Sequence, residues 1–391
     1  MTIDYEFLAP PRIVFGWGRR RELGALAATL GRRAFVVLGS RTLQHNGAWA
    51  ELAAHLQQAG VEPIVVATIG REPGIADVDQ LVTDLRAREA GAGDFLLALG
   101  GGAAIDLAKA ASAVVTNRHG NSVRDFLEGV GKGLQVTEPP LPLLAMPTTG
   151  GTGTEATKNA VISVADPPVK KSIRSPLMVP RLVVVDPELS VSVPPATTAW
   201  TGMDAITQLI ESYFCRFARP IPQALALHGL QLALPRVREA VRDGTSRPAR
   251  EAMAHAALLS GLALANSGLG LAHGVAAALG VFAGVPHGLA CAMMLPVALT
   301  VNRMVAEKPL AELARAVLPA APRSDSGVVD AFIDHIEMLC AELEVPARLS
   351  LVGVRPNQLD DLVRGSRGNS MNGNPRQLSD GELKEILEAR L

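Results

Sequence analysis

Apolar residues in the first half of the chain form short runs that alternate with stretches of helical periodicity. Two segments, WAELAAHLQQAG and VDQLVTDLRAREAG, repeat apolar residues every three or four positions and end in Gly, as many helices do. The pattern predicts an α/β N-terminal domain with a mostly parallel sheet. The runs expected to be strands are AFVVLG (34–39), EPIVVA (62–67), DFLLALG (94–100), PLLAM (142–146) and RLVVVD (181–186).

The pattern changes after DPELSVSVPP (186–195). From Ala196 onward the chain is rich in Ala and Leu and has few runs of strand type. This composition predicts an all-α C-terminal domain. A length of 391 residues exceeds the usual size of one hydrophobic core, which also favours two domains. We place them at 1–190 and 191–391.

Composition narrows the class of protein. Hydrophobic residues make up 48% of the chain and charged residues 19%, as in a compact globular protein. The net charge of -1 gives no electrostatic reason to expect nucleic acid or a membrane surface as a partner. No signal peptide or membrane span is expected from the apolar segments. Three widely spaced cysteines, Cys215, Cys291 and Cys340, favour reduced thiols and hence a cytoplasmic protein.

Two glycine-rich segments, each directly after a predicted strand, favour a dinucleotide site. LALGGGAAID (97–106) leads into a predicted helix, whose N-terminal N–H groups suit a pyrophosphate. It is not the Rossmann fingerprint, because Ile105 stands where the third glycine would be. PTTGGTGTE (147–155) adds three glycines and several hydroxyls. For each segment alone, a tight structural turn or a solvated loop stays open as the alternative.

One carboxylate and two imidazoles in the second half have the chemistry of a metal site. Asp204 and Gln208 are four residues apart in GMDAITQLIES, so they share a face of a predicted helix. His273 lies in LAHGVAAALG and His287 in VPHGLACAMMLP. Such a set suits Zn²⁺ or Fe²⁺ and leaves coordination positions open for solvent and substrate. Each histidine taken singly is more often a core residue with satisfied hydrogen bonds.

Together these segments resemble the iron-containing (group III) alcohol dehydrogenase family. GGGAAID is similar to its GGGSxxD turn, PTTGGTGTE to its PTTxGTGSE loop and GMDAITQLIES to its GxDAxxHxxE metal helix. The two histidine segments and the C-terminal SMNGNPRQLSD match as well. The resemblance implies an oxidoreductase that transfers hydride between a small alcohol or aldehyde and a nicotinamide cofactor. It also implies one divalent metal in the cleft between a dinucleotide domain and a helical domain.

Position by position, the resemblance implies roles for individual residues. Asp204, His273 and His287 would ligate Fe²⁺ or Zn²⁺ and act in catalysis through it. The residues placed at the cofactor by the resemblance are Gly100, Gly101, Gly102, Asp106, Thr148, Thr149, Thr152 and Lys170.

The residues after the first long predicted strand bear on the choice of cofactor. In Rossmann-type sites an acidic residue near the second strand binds the ribose hydroxyls and repels a 2′-phosphate. Here Ser40 and Arg41 follow the strand and no acid is present. Arg41 has the charge to pair with a phosphate, although a solvated arginine is the alternative. We therefore expect NADP(H) to be preferred and NAD(H) to be accepted.

The chain departs from the family pattern at two positions. Gln208 stands where the family has its fourth ligand, a histidine, and is a candidate ligand through its carbonyl oxygen or a support for a water. Ala277 stands where the family has a second histidine, which removes a candidate proton relay.

Two other functions stay open at this point. One is a superfamily relative that acts on a polyol or sugar phosphate, as a dehydrogenase or a cyclising lyase. The other is a catalytically silent homologue that only binds dinucleotide. The apolar histidine segments favour a small, largely uncharged alcohol or aldehyde over a phosphate-bearing substrate. The sequence also leaves open whether the chain forms a homodimer.

Overall fold

A computed structural model describes residues 4–40, 42–320 and 322–391 of the chain. These residues form two compact units. One unit contains Leu8–Thr149 and Gly153–Ser192. The other contains residues 4–7, Gly150–Thr152 and Val193–Leu391. The short piece Gly150–Thr152, in the second glycine-rich segment, therefore belongs with the C-terminal part of the chain.

The N-terminal unit is built on a parallel sheet, as the alternating pattern predicts. Its strands are β1 (Ile13–Phe15), β2 (Arg33–Leu38), β3 (Glu62–Thr68), β4 (Asp94–Gly100), β5 (Leu143–Pro147), β6 (Asn159–Val164), β7 (Val169–Arg174) and β8 (Leu182–Val185). Six of them form one sheet in the order β1-β8-β5-β4-β2-β3, and every neighbouring pair is parallel. The other two, β6 and β7, form an antiparallel hairpin.

Helices cover both faces of this sheet. They are α1 (Leu23–Ala27), α2 (Thr42–His45), α3 (Ala48–Gln58), α4 (Ile75–Ala87) and α5 (Gly102–Thr116). Successive residues of β2 enter opposite cores: Phe35 packs with residues of α4 and α5, while Val36 packs with residues of α1 and α3. Because both faces of the sheet are buried, its central strands are continuous apolar runs.

The order of strands reverses direction between β2 and β4. From β2 the chain first adds β3 on one side and then returns to place β4 on the other side. The ends of β2 and β4 approach so closely that a Cβ on Gly39 would lie 2.7 Å from the Cα of Gly100. In open α/β sheets, ligands bind beyond the carboxyl ends of the strands at such a reversal. The glycine turn after β4 is therefore placed where this type of sheet binds ligands.

The C-terminal unit is helical, and its described residues include no strand. Its helices are α6 (Pro195–Phe214), α7 (Pro220–Arg242), α8 (Arg247–Ala265), α9 (Leu271–Ala283), α10 (His287–Asn302), α11 (Glu307–Val317), α12 (Asp325–Glu342), α13 (Leu359–Gly365), α14 (Asn369–Asn372) and α15 (Asp380–Glu388). α6 is buried along most of its length and packs on α7, α8 and α10. Over the described residues, no helix is both long and apolar enough to cross a membrane.

Short 3₁₀ helices connect these elements. They lie at Arg19–Glu22, Val123–Phe126, Thr154–Ala156, Pro176–Met178, Pro187–Ser190, Leu349–Val352 and Pro356–Gln358.

Candidate functional site

Four side chains with metal-ligating atoms converge in the helical unit. Asp204 comes from α6, His273 from α9, and His287 and Cys291 from α10, and one ligand atom from each lies within 4.8 Å of the others. The first three were predicted from the sequence, and Cys291 was not. Asp204, His273 and Cys291 are buried, whereas 32% of the His287 side chain is exposed. The cluster is therefore accessible at the edge formed by His287.

Close helix packing at one glycine brings α10 to α6. A Cβ on Gly288 would lie 2.4 Å from the carbonyl oxygen of Trp200 and 3.4 Å from the Cβ of Asp204. Only a residue without a side chain fits this contact. The start of α10, where His287 and Cys291 lie one turn apart, is thereby held beside Asp204.

Glu211 holds His273 in position. Its fully buried carboxylate lies 2.7 Å from His273 Nδ1 and accepts a hydrogen bond of 2.7 Å from the backbone N–H of Ala272 at the start of α9. A carboxylate acceptor requires the proton on Nδ1, which leaves the lone pair of His273 Nε2 for a metal. Sequence reasoning missed this role. The usable clue was the spacing, since Glu211 is two helical turns after Asp204 on the same face of α6.

The C-terminal SMNGNPRQLSD segment also supports this arrangement. The Asn374 side-chain oxygen accepts hydrogen bonds from the backbone N–H of Leu271 (3.1 Å) and from the Asn302 side chain (2.8 Å). A Cβ on Gly270 would lie 2.8 Å from Glu211 Oε1 and 3.0 Å from Asn374 Oδ1. The segment therefore joins the start of α9 to the end of α10.

The donor atoms of the cluster fit a divalent ion. Among the described residues, Asp204 Oδ1 and His273 Nε2 are buried without a hydrogen-bond partner, a costly state for polar atoms. These two atoms are 3.3 Å apart, and Asp204 Oδ1 is 3.8 Å from His287 Nε2. With zinc–ligand bonds of 2.0–2.2 Å, tetrahedral oxygen and nitrogen ligands lie about 3.3 Å apart. A shared cation would satisfy both unpartnered atoms.

The electrostatics of the cluster keep Asp204 ionised. Burial raises the pKa of the Asp204 carboxyl, but the neighbouring His287 and His273 lower it by more, so the pKa falls below its ordinary value. A carboxylate that stays charged in a buried site is ready to ligate a cation.

Gln208 lies one turn after Asp204 and uses its amide nitrogen elsewhere. Its Nε2 donates to the backbone oxygen of Thr152 (3.1 Å) and to Ser260 Oγ (2.8 Å). These bonds fix the amide plane and attach Thr152, from the second glycine-rich segment, to α6. Ala277 lies one turn after His273 on α9, is half-buried, and has no titratable group.

Five of the ten predicted cofactor residues lie together at the sheet reversal. Gly101 is the N-cap of α5, so this turn presents the free N–H groups of the helix start. The backbone N–H of Thr148 donates to the Gly100 oxygen (3.1 Å), and a Cβ on Gly101 would lie 3.2 Å from Thr149 Oγ1. The structure thus brings Gly100–Gly102 beside Thr148 and Thr149.

Asp106 supports the second segment from within the same unit. Its carboxylate accepts hydrogen bonds from Thr154 Oγ1 (2.6 Å) and from the backbone N–H of Val161 (3.2 Å). One turn later on α5, Lys109 Nζ donates to the backbone oxygens of Thr157 (3.0 Å) and Asn159 (2.9 Å). Burial lowers the pKa of Lys109 to about 8, although Asp106 partly offsets this effect. Asp106 and Lys109 thus both hold in place the loop that follows Thr152.

The remaining predicted cofactor residues are more dispersed. Ser40 follows β2, and its Oγ accepts a hydrogen bond from the backbone N–H of Thr42 (3.3 Å). Arg41 lies outside the described residues. Lys170, on β7, forms an ion pair of 2.6 Å with Glu72, and only 9% of its side chain is exposed. Its charge is therefore already balanced in part by a carboxylate.

Replacing Glu211 with Gln is expected to weaken metal binding. The change removes the negative charge that contacts His273 Nδ1, while it keeps the shape of the side chain. Loss of an outer partner of a ligating histidine typically lowers metal affinity roughly 10- to 100-fold. Competition with a chelator measures this affinity for Zn²⁺ in the wild type, in Glu211→Gln and in Glu251→Gln, a change at a surface ion pair on α8. Equal affinities in all three proteins would contradict a positioning role for Glu211.

Comparison with known protein families covers almost the whole chain. A model described as "Iron-containing alcohol dehydrogenase" matches residues 10–187. A second, "Fe-containing alcohol dehydrogenase family, C-terminal", matches residues 198–391.

Individual relatives agree with these models. The chain is 35% identical to a probable alcohol dehydrogenase of Escherichia coli, EutG, over 89% of this chain and 84% of the relative. It is 29% identical to an NADPH-dependent butanol dehydrogenase of Clostridium saccharobutylicum, over 98% of this chain and 97% of the relative. A solved structure of sulfoacetaldehyde reductase from Bifidobacterium kashiwanohense in complex with NAD⁺ aligns with a TM-score of 0.87 at 28% identity. That alignment covers 100% of this chain and 99% of the other.

Proposed function

Because the chain belongs to the iron-containing alcohol dehydrogenase family, and is thus a metal-dependent oxidoreductase of alcohols or aldehydes that uses NAD(P), we propose that Asp204, His273 and His287 hold its metal. The observation that supports this assignment is the convergence of their ligand atoms, two of which have no hydrogen-bond partner among the described residues. Gln208 Oε1 is a further candidate, since only its Nε2 has a described partner.

When bound, a divalent ion supplies Lewis acidity, which lowers the pKa of a coordinated hydroxyl and polarises a carbonyl. Asp204 contributes the negative charge that retains the ion in a buried site. Glu211 keeps His273 in the tautomer that presents Nε2. His287 is at the exposed edge of the cluster, and we propose that the substrate enters from its side. The glycine turn at Gly100–Gly102 binds the pyrophosphate through backbone N–H groups and so orients the cofactor for hydride transfer.

The substrate we propose is a small, largely uncharged alcohol or aldehyde. Leu271–Ala283 and His287–Asn302, the helices that supply three of the four clustered side chains, contain no Lys or Arg. A sugar phosphate would require such residues to balance its charge. The small apolar side chains of these helices instead exclude water from the reacting atoms.

An assay with and without metal tests this function. Protein loaded with Fe²⁺ or Zn²⁺ is mixed with each nicotinamide cofactor and a panel of short alcohols and aldehydes. We expect hydride transfer to disappear after complete chelation and to return when the ion is added back. Undiminished activity in metal-free protein would refute the assignment.

We also propose that NADP(H) is the preferred cofactor and that NAD(H) is accepted. The support is the sequence after β2, where Ser40 and Arg41 occupy the place of the acid that would repel a 2′-phosphate. Arg41→Ala should lower kcat/KM for NADPH about tenfold, the effect of losing about 1.4 kcal/mol of binding, and leave NADH almost unchanged. Arg88→Ala, an exposed position at the end of α4, serves as the control. A preference for NADH above tenfold that Arg41→Ala does not alter would reverse this assignment.

The proposal also covers the cellular compartment of the protein and its oligomeric state. All three cysteines are free and buried, which supports the cytoplasm as the compartment. The sequence leaves open whether the chain forms a homodimer, and light scattering on the purified protein tests this.

A further inference from the structure

We propose that Cys291 is a fourth protein ligand of the metal, in place of the ligand histidine that Gln208 replaces in this chain. This inference rests on the proposed metal site and extends it to a ligand set of one carboxylate, two imidazoles and one thiolate.

The position of the sulfur supports this role. Cys291 is four residues after His287 in α10, so the two side chains lie on one face of the helix. Its Sγ is 3.7 Å from His287 Nε2 and lies within 4.8 Å of the ligand atoms of Asp204 and His273. With a zinc–sulfur bond of about 2.3 Å and a zinc–nitrogen bond of about 2.0 Å, tetrahedral ligands of these types are separated by about 3.6 Å.

Gln208 does not have to supply this ligand. Its Nε2 is engaged by Thr152 and Ser260, and the Ser260 hydroxyl in turn donates to the backbone oxygen of Ala257 (2.8 Å). This chain of hydrogen bonds ties the Gln208 amide to the second glycine-rich segment. The Cys291 sulfur lies beside His287 Nε2 instead, and the residue has no exposed surface.

Charge balance also favours cysteine. A divalent ion held by Asp204, two neutral histidines and the neutral Gln208 would bury a net charge of +1, which is costly away from water. With Cys291 bound as thiolate the net charge is zero, and the thiol proton leaves to solvent when the metal binds. A thiolate is a soft ligand and favours Zn²⁺ over Fe²⁺. The wild type should therefore prefer zinc over iron by a larger factor than the Cys291→Ser variant does.

Cobalt(II) substitution tests the sulfur ligand directly, because a thiolate bound to Co²⁺ gives an intense near-ultraviolet charge-transfer band that oxygen and nitrogen ligands do not give. The proteins to compare are the wild type, Cys291→Ser, Cys291→Ala, Gln208→Ala and Cys215→Ser, the last a buried thiol outside the cluster. We expect one equivalent of Co²⁺ and the band in the wild type, Gln208→Ala and Cys215→Ser. Both Cys291 variants should lose the band, and their Co²⁺ affinity should fall roughly 10-fold to 100-fold or more.

The outcomes separate this inference from the proposed function. If the wild type binds one equivalent of Co²⁺ without the band, or if the band survives in both Cys291 variants, Cys291 is not a ligand and the metal site still stands. If folded wild-type protein, verified by far-ultraviolet circular dichroism, binds no Co²⁺, both proposals fail. Using Ser and Ala at position 291 guards against the failure of one variant to fold.

Discussion

Asp204→Asn will lower kcat/KM for alcohol oxidation roughly 10³-fold or more, the effect of losing several kcal/mol of Lewis-acid stabilisation of the transition state. Asparagine keeps the size of the side chain but removes the charge that retains the ion. The measurement is steady-state oxidation of a short alcohol at saturating cofactor, with metal content determined on the same samples. Asp334→Asn, an exposed position on α12, is the matched control. Activity within threefold of the wild type would exclude Asp204 from the catalytic site.

The same variant separates a role in metal binding from a role in folding. In the absence of metal, Asp204 Oδ1 is a buried oxygen without a hydrogen-bond partner among the described residues. Its charged neighbours are instead His273 and His287, which lower the pKa of the Asp204 carboxyl, so removing the charge costs the metal-free protein this interaction. We expect metal-free Asp204→Asn to stay folded, with a thermal midpoint modestly below that of the metal-free wild type. Zinc should raise the midpoint of the wild type much more than that of the variant.

Gly100→Ala is expected to damage both the N-terminal unit and its cofactor site. The added Cβ would lie 2.5 Å from Gly39 Cα and 2.8 Å from Ala104 Cβ, so the backbone must shift. Overpacking of this kind typically costs about 1–3 kcal/mol of unfolding free energy. The shift would occur at the ends of β2 and β4, in the turn that we propose binds the pyrophosphate. We therefore also expect the Kd for NADPH to rise about tenfold, which corresponds to about 1.4 kcal/mol.

Two measurements check this prediction. Urea denaturation gives the free energy of unfolding, and fluorescence titration gives the Kd for NADPH. Gly381→Ala is the control, because a Cβ there would have no atom within 4 Å. If Gly100→Ala behaves like this control in both measurements, the close approach of β2 and β4 does not set the geometry of the cofactor turn.

Much of the sheet was predictable because burial on both faces gives continuous apolar runs. All five predicted runs are strands of the parallel sheet, and the helical second half was also predicted correctly. β1 was missed because it has only three residues. The hairpin of β6 and β7 was missed because β7, VKKSIR, is mostly polar and partly exposed, which gives it no apolar run. The domain boundary near residue 190 stays a prediction.

The site was predictable only in part. Asp204, His273 and His287 were selected by residue type and by family resemblance, and the structure brings them together. Glu211 and Cys291 were missed because their roles depend on how α6, α9 and α10 pack, which no single segment encodes. Asp106 was expected at the cofactor turn, and its observed contacts with Thr154 and Val161 are likewise tertiary. The roles of these residues in binding and catalysis stay proposals.

Asp204, His273 and His287 are proposed to share one catalytic metal ion. Anomalous X-ray diffraction from crystals of the purified protein, collected on both sides of the absorption edge of the metal, locates such an ion directly. We predict one strong anomalous peak about 2.0–2.2 Å from Asp204 Oδ1, His273 Nε2 and His287 Nε2, the bond lengths of zinc to oxygen and nitrogen. Crystals grown with added Zn²⁺ that show no peak at these atoms, or a peak only elsewhere in the protein, would contradict it.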